Sequence, residues 1–130
     1  MIEFRLDRGA AVPAYVQLVQ QVREALRLGW LQPGDQLPTV RQVVASCVVN
    51  ANTVLKAYRE LERSGLVVAH QGSGTFIRAT LGVADPSAMM RLRGRLAGWV
   101  RSAREAGLEE EDMRALLGAV LAESRSERSA

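Results

Sequence analysis

A chain of 130 residues with one histidine, one cysteine and a formal charge of +3 has room for one domain plus an appendage. A single cysteine excludes an internal disulfide and is compatible with a reducing compartment. The basic excess is local: residues 1–78 hold nine Lys or Arg against six Asp or Glu, while residues 79–130 hold eight of each. Nucleic-acid binding requires positive charge in the binding part; the excess is modest, so motifs must carry the argument.

The start, Met1-Ile2-Glu3-Phe4-Arg5, leads into charged sequence and not into the apolar run of a signal peptide. No segment reaches membrane-spanning length, and a cytoplasmic location is expected. Residues 2–6 are compatible with a short strand or with an arm against a partner. From about residue 13 to residue 28, Tyr15, Leu18, Val19, Val22, Ala25 and Leu26 recur at helical spacing and predict an amphipathic first helix that Gly29 ends.

Asp35, Leu37 and Pro38 then predict a turn. Pro38 suits a helix entry because its missing donor is not needed there, and Thr39 can cap the short helix that follows. Val40, Val43 and Val44 form its apolar stripe, and Cys47-Val48-Val49 fills a corner, with Cys47 expected as a small buried side chain. Asn50 caps the next helix. Val54, Ala57, Tyr58 and Leu61 form its core face; Asn52, Lys56, Arg59 and Arg63 lie opposite, and Gly65 stops it. A polar outer face is ordinary in an isolated helix. Here a short helix and a tight corner precede it, and two apolar runs follow: Leu66-Val67-Val68 and Thr75-Phe76-Ile77, around His70-Gln71-Gly72-Ser73-Gly74. Such glycines permit hairpin turns and close approach to a ligand. The order is that of a winged helix-turn-helix: a mainly α fold with a small β-hairpin wing, which offers a helix to the major groove of DNA and a hairpin to the backbone or minor groove beside it.

These residues resemble the DNA-binding domain of GntR-type bacterial transcription regulators. The resemblance runs through Pro13 and Tyr15, Gly29 to Leu31, the stretch from Pro33 to Arg41, Asn50-Ala51-Asn52-Thr53-Val54, Ala57 to Glu62, Ser64-Gly65-Leu66, and Gly72-Ser73-Gly74-Thr75-Phe76. The Asn-x-Asn-Thr-Val segment and the short C-terminal part resemble the YtrA-type subgroup, in which the tail is a small helical dimerisation unit. The resemblance implies that Arg41 reaches a base edge, where bidentate contact to guanine fits an arginine. It implies phosphate or groove contacts for Thr39 and Thr53, and a place near the minor groove for Gly72; the neighbouring Gln71 joins the expected DNA-binding set. Asn50, Asn52, Lys56 and Arg59 complete the expected DNA-binding set. Two positions depart from the family pattern. Val48 stands where a corner glycine is usual, and valine tolerates a left-handed backbone poorly. Ala51 stands where many relatives carry a base-reading arginine, which shifts readout to Asn50, Asn52 and Lys56, or to a thymine methyl contact by Ala51 itself.

Residues 81–86 read as a linker. Beyond them Met89, Leu92, Leu96, Trp99 and Ala103 step by three and four, the seam of a helix that packs on helices. Gly107 breaks the pattern. Glu109, Glu110, Glu111 and Asp112 open a further helix, where the dipole favours negative charge, and Met113, Leu116, Leu117, Val120 and Leu121 form its stripe. Residues 124–130 are expected to fray. So small a hairpin lacks core; a partner subunit or its own DNA-binding domain has to cover the stripes. Dimerisation through Leu92, Leu96, Trp99, Leu116 and Val120 is the favoured reading, because dimeric helix-turn-helix proteins match the two-fold symmetry of their sites.

The domain division is thus residues 11–79 for DNA binding and residues 80–130 for dimerisation. The function expected is sequence-specific transcription regulation by a homodimeric repressor on an inverted-repeat operator of double-stranded DNA. The alternative is a winged helix used only for protein interaction. His70 sits in the wing without a Ser/His/Asp set, a metal-ligand cluster or the strand-to-helix context of a phosphate loop around it, so neither catalysis nor a metal or cofactor is expected. The roughly fifty residues beyond the wing are few for a ligand pocket of ~300 Å³ or more. No small-molecule effector is assigned; a ligand at a dimer interface around Trp99 stays open.

Overall fold

The computed structural model describes residues 1–82 and 85–129. It divides into two compact units, Met1–Ala84 and Asp85–Ala130.

In the first unit an extended arm precedes helix α1 (Ala14–Arg27), followed by α2 (Val40–Cys47), α3 (Ala51–Arg63) and the antiparallel strands β1 (Val67–His70) and β2 (Gly74–Ile77). The apolar spacing of α1 and α3 buries one face of each: Leu18, Val19, Val22, Ala25 and Leu26 on α1 meet Val54, Ala57, Tyr58 and Leu61 on α3. Val43 of α2 and Leu37, Leu66, Val67 and Ile77 close the same core. Full burial of a Leu or Val contributes roughly 1.5–3 kcal/mol. Leu18, Leu26, Leu37, Leu61, Val22, Val43, Val54 and Val67 are all buried completely or nearly so, and they set the relative placement of the three helices and the wing.

The arm is not a strand. Phe4 is buried, and Ile2 and Leu6 pack against the core. Two glutamines one turn apart on α1 read its backbone. Gln21 accepts from the amide of Arg5 (2.9 Å) and donates to its carbonyl (2.6 Å), and Gln17 does the same for Asp7 (2.8 and 2.9 Å). The arm therefore lies against its own domain.

The hairpin differs from expectation by a residue or two at three of its four strand ends, and β2 ends at Ile77 as expected. His70 pairs with Gly74, so both belong to strands and the loop is residues 71–73. The segment before α2 adds a third edge. The Gly34 amide donates to the Ile77 carbonyl (2.8 Å), the Ile77 amide to the Asp35 carbonyl (2.8 Å) and the Leu37 amide to the Thr75 carbonyl (2.9 Å).

The expected linker is shorter than read. Leu81 packs against the core, and Pro86 already begins α4 (Pro86–Glu105), with Asp85 as its cap; residues 83 and 84 lie outside the described residues. The second unit is an αα-hairpin of α4 and α5 (Glu110–Ser129), turned at Gly107 and Leu108, whose amide donates to the Ala103 carbonyl (2.9 Å). The stretch expected to fray is helical through Ser129; Ala130 lies outside the described residues. Among the described residues no helix is long and apolar enough to cross a membrane.

Candidate nucleic-acid interface

Both motif helices are capped by the residues that mark their starts. The Thr39 hydroxyl oxygen accepts from the Gln42 amide (3.1 Å), and the Gln42 side chain accepts from the Thr39 amide (2.9 Å), a reciprocal capping box. The Thr-x-x-Gln pattern at residues 39–42 is visible in the sequence, and such a box satisfies two free donors at once. The Thr39 hydroxyl proton stays available to an acceptor outside the protein. Asn50 caps α3 by accepting from the Asn52 amide (2.8 Å), which leaves its side-chain NH₂ outside the cap bond. Arg41, in the first turn of α2, is exposed and has no hydrogen bond or ion pair among the described residues.

On α3 the buried face leaves Asn52, Lys56, Arg59 and Arg63 to solvent, all four exposed, with Ala51 exposed at the first turn and Thr53 half-buried. Two of the cations are engaged. Arg63 pairs with Glu60 on its own helix, an exposed pair that adds little stability but lowers the net charge at that end. The Lys56 ammonium sits 4.1 Å from the centre of the Tyr15 ring at the start of α1. This cation–π contact limits the freedom of a side chain that reads as a free basic residue in the sequence.

Tyr58 fastens α3 to the entry of α2. Its buried hydroxyl donates to the Pro38 carbonyl at 2.5 Å, directly before the capped turn that carries Arg41. Burial, reinforced by the nearby Cys47 thiol, pushes the phenol above its ordinary range and keeps it a neutral donor.

The corner between the helices carries the strain that the sequence suggests. Val48 has φ 52° and ψ 57°, the left-handed region, and is the one non-glycine residue with positive φ among the described residues. Its side chain is exposed. Arg8 from the arm donates to the carbonyls of Val48 and of Cys47, the latter at 2.9 Å. Cys47 is half-buried, not fully enclosed, and lies against the Phe4 carbonyl (Sγ–O 3.4 Å). Nothing in local sequence pattern marks Arg8 as a corner residue; the contact spans about forty positions.

The wing tip exposes Gln71 and Gly72, the latter at φ 79°. His70 ends β1 with its ring 5.4 Å from that of Phe76. Gln36 anchors the wing from below. Its side chain donates to the Ser73 carbonyl (3.1 Å), and a Cβ on Gly74, where φ is 118°, would fall 2.5 Å from its Nε2 and push that side chain aside. Sequence reasoning sees Gly74 as a turn residue and misses its partner. The N-terminal turns of α2 and α3, the solvent face of α3 and the clamped wing thus present Thr39, Arg41, Asn52, Lys56, Arg59, Gln71 and Gly72 as exposed groups on a rigid frame.

Known proteins share this frame. The profile for bacterial regulatory proteins of the gntR family matches residues 14–77. The uncharacterized HTH-type transcriptional regulator YhcF of Bacillus subtilis (strain 168) is 38% identical over 101 residues, 78% of this chain and 84% of that protein. The chain belongs to the GntR family. Its similarity to the HTH-type transcriptional repressor YtrA of Bacillus subtilis (strain 168) is 42% identity over 73 residues, 56% of each protein, so this GntR-family chain matches little more than half of that repressor's length. Among solved structures, the DNA-binding domain of AraR in complex with operator ORX1 superposes with a TM-score of 0.51 at 25% identity, over 58% of this chain and 95% of that one. Both relatives are named as transcriptional regulators or repressors. The GntR match and the structure agree on a mainly helical winged helix-turn-helix with a two-stranded wing.

Proposed function

We propose that this GntR-family chain is a homodimeric, cytoplasmic repressor that binds an inverted-repeat operator. Residues 11–79 read DNA and residues 80–130 pair the subunits. The observation that carries the reading is the capped, tethered pair α2–α3, with Arg41 unengaged at the first turn of one helix and the Asn52–Lys56–Arg59 face open on the other. Arg41 has the planar donor fork that reads guanine in the major groove. Thr39, Thr53, Lys56 and Arg59 supply phosphate or groove contacts, Asn50 and Asn52 offer amide groups near base edges, and Gln71 with Gly72 lets the wing backbone approach the minor groove.

The second unit supports dimerisation. Among the described residues only Ala103 and Met113 are buried in it, close to its turn. Leu92, Leu96, Leu116 and Val120 are 44–56% exposed, and Trp99 is half-buried. A soluble unit rarely leaves so many large apolar side chains on one hairpin uncovered. A second copy brings the same stripes, and a two-fold arrangement of hairpins makes a four-helix bundle.

The test is a binding titration of the intact chain against duplex fragments, with and without inverted repeats, between about 50 and 200 mM salt. Phosphate contacts release counterions, so affinity falls steeply over that range. Sequence-selective, salt-dependent binding with two subunits per site is expected. No binding to any duplex, with the fold intact, would leave the winged helix as a protein-interaction module.

A further inference from the structure

On the first unit, between the arm and the end of α1, lies a cavity of about 640 Å³ that the DNA-reading surface does not use. That volume is in the range of small-molecule sites, typically ~300–1,000 Å³. Ile2 and Leu31 supply apolar wall, and the Trp30 ring supplies an aromatic one. The charged side chains are one-sided: Glu3, Glu24 and Asp35 line the space and no Lys, Arg or His does, so the α-ammonium of Met1, also on the wall, faces three carboxylates. Asp35 is partly committed, since its carboxylate accepts from the Gln32 amide (2.9 Å). Glu3 and Glu24 are exposed and have no ion-pair partner among the described residues.

The carboxylates are spread around the cavity. Among the described residues no three acidic, His or Cys side chains converge so as to hold a metal ion. Dispersed negative charge around an aromatic and aliphatic surface suits a cation with an apolar body. The positive centre meets an indole face and carboxylates, and the body covers Ile2 and Leu31. We propose that this cavity binds an amphiphilic organic cation, a substituted or quaternary amine. Its wall includes Gln36, whose side chain holds the Ser73 carbonyl at the wing tip, so an occupant touches the residue that clamps the wing. The proposal goes beyond the operator reading and its test contains no DNA, so the two succeed or fail separately.

The probe is benzyltrimethylammonium chloride, titrated into the intact ¹⁵N-labelled chain and followed by two-dimensional NMR. The chain has two tryptophans, and Trp30→Phe assigns their indole signals. The Trp30 indole should shift along a saturating isotherm with a dissociation constant of a few mM or tighter, about what a ligand of this size reaches at ~0.3 kcal/mol per heavy atom. The Ser73 and Gly74 amides should follow the same isotherm, and sodium benzoate at equal concentration should not reproduce it. The double variant Glu3→Gln, Glu24→Gln, with an unchanged amide spectrum elsewhere, should bind at least about tenfold more weakly, some 1.4 kcal/mol. A Trp30 signal that does not saturate would overturn the site. So would equal shifts with benzoate, unchanged affinity in the double variant, or a Trp99 isotherm that matches Trp30. Wing amides that stay still while Trp30 saturates would overturn the link to the wing.

Discussion

The hydroxyl of Tyr58 donates to the carbonyl of Pro38 across twenty positions of sequence, at 2.5 Å and in a buried setting. One end of this bond is the core face of α3; the other is the residue before the cap of α2. Local pattern assigns Tyr58 to the core. Only its hydroxyl makes it a strut between the two helices of the motif.

Tyr58→Phe removes the donor and leaves the Pro38 carbonyl unpaired. A loss of about 1–3 kcal/mol is expected, since an unsatisfied buried acceptor costs its desolvation. Urea titration measures it. The pH dependence has a definite sign. The folded phenol titrates above its unfolded value, so at high pH the unfolded chain loses a proton that the folded chain retains. Stability associated with Tyr58 is present below about pH 10, the ordinary tyrosine value, and declines as pH rises beyond it. The Phe variant should show a flatter decline above about pH 10 than the parent. Parallel curves would remove the buried phenol as the cause.

Val48 holds a left-handed backbone, with its side chain in solvent and so little packing to lose. A non-glycine residue there costs of order 1–3 kcal/mol, more severely when β-branched. Val48→Gly should therefore raise stability by about 1 kcal/mol, the relieved strain exceeding the added freedom of the unfolded chain. Thermal unfolding decides: a melting temperature that falls would mean that contacts of Val48 outweigh the strain.

Arg41→Ala should weaken specific operator binding by ~1–3 kcal/mol with the fold intact, as expected for a base-reading arginine. Competition with unrelated duplex should show less specificity. Equal affinity for operator at matched salt would take Arg41 out of base readout.

Lys56 and Ala51 separate backbone contact from base readout. Lys56→Ala should lower affinity for all duplexes and reduce the salt slope by about one unit. It should also cost roughly 0.5–1 kcal/mol of stability, because the ammonium rests on Tyr15 at an exposed site. Ala51→Arg should instead alter the preferred site, as selection from a random duplex pool would reveal. Identical consensus sequences for parent and variant would place residue 51 away from the bases.

The second unit should be separable. Because Leu81 packs on the core, a chain ending at residue 84 keeps the first unit whole, whereas one ending at residue 80 does not. The longer truncation should be folded, monomeric and ~10²-fold or more weaker on an inverted-repeat operator, since it forfeits the second contact of a dimer. Half-sites should lie about one helical turn apart or a multiple of it. Leu96→Glu in the full chain should likewise give monomers by light scattering. A truncated chain that still dimerises would assign pairing to the first unit.

The elements legible in the sequence are those whose signals are local. The helical spacing of Leu18, Val22 and Leu26, and of Val54, Ala57 and Leu61, needs only neighbours one turn away. The caps Thr39 and Asn50 satisfy amides two or three residues on, and the glycines at 72 and 74 announce their turn. The order of these pieces suffices for the winged helix-turn-helix and for the candidate residues from Thr39 to Gly72. Tertiary structure decided everything that joins distant positions. Gln17 and Gln21 turn residues 2–8 into an intramolecular arm, and Arg8 reaches the carbonyls of the strained corner. Gln36 reaches the wing across 37 positions, and Lys56 settles on Tyr15 instead of standing free. A polar side chain carries no periodic signature, so its partner is chosen only when burial of the apolar faces brings the two together. Sequence thus determined which surfaces this protein can form, and packing decided which of its polar groups remain free to meet DNA.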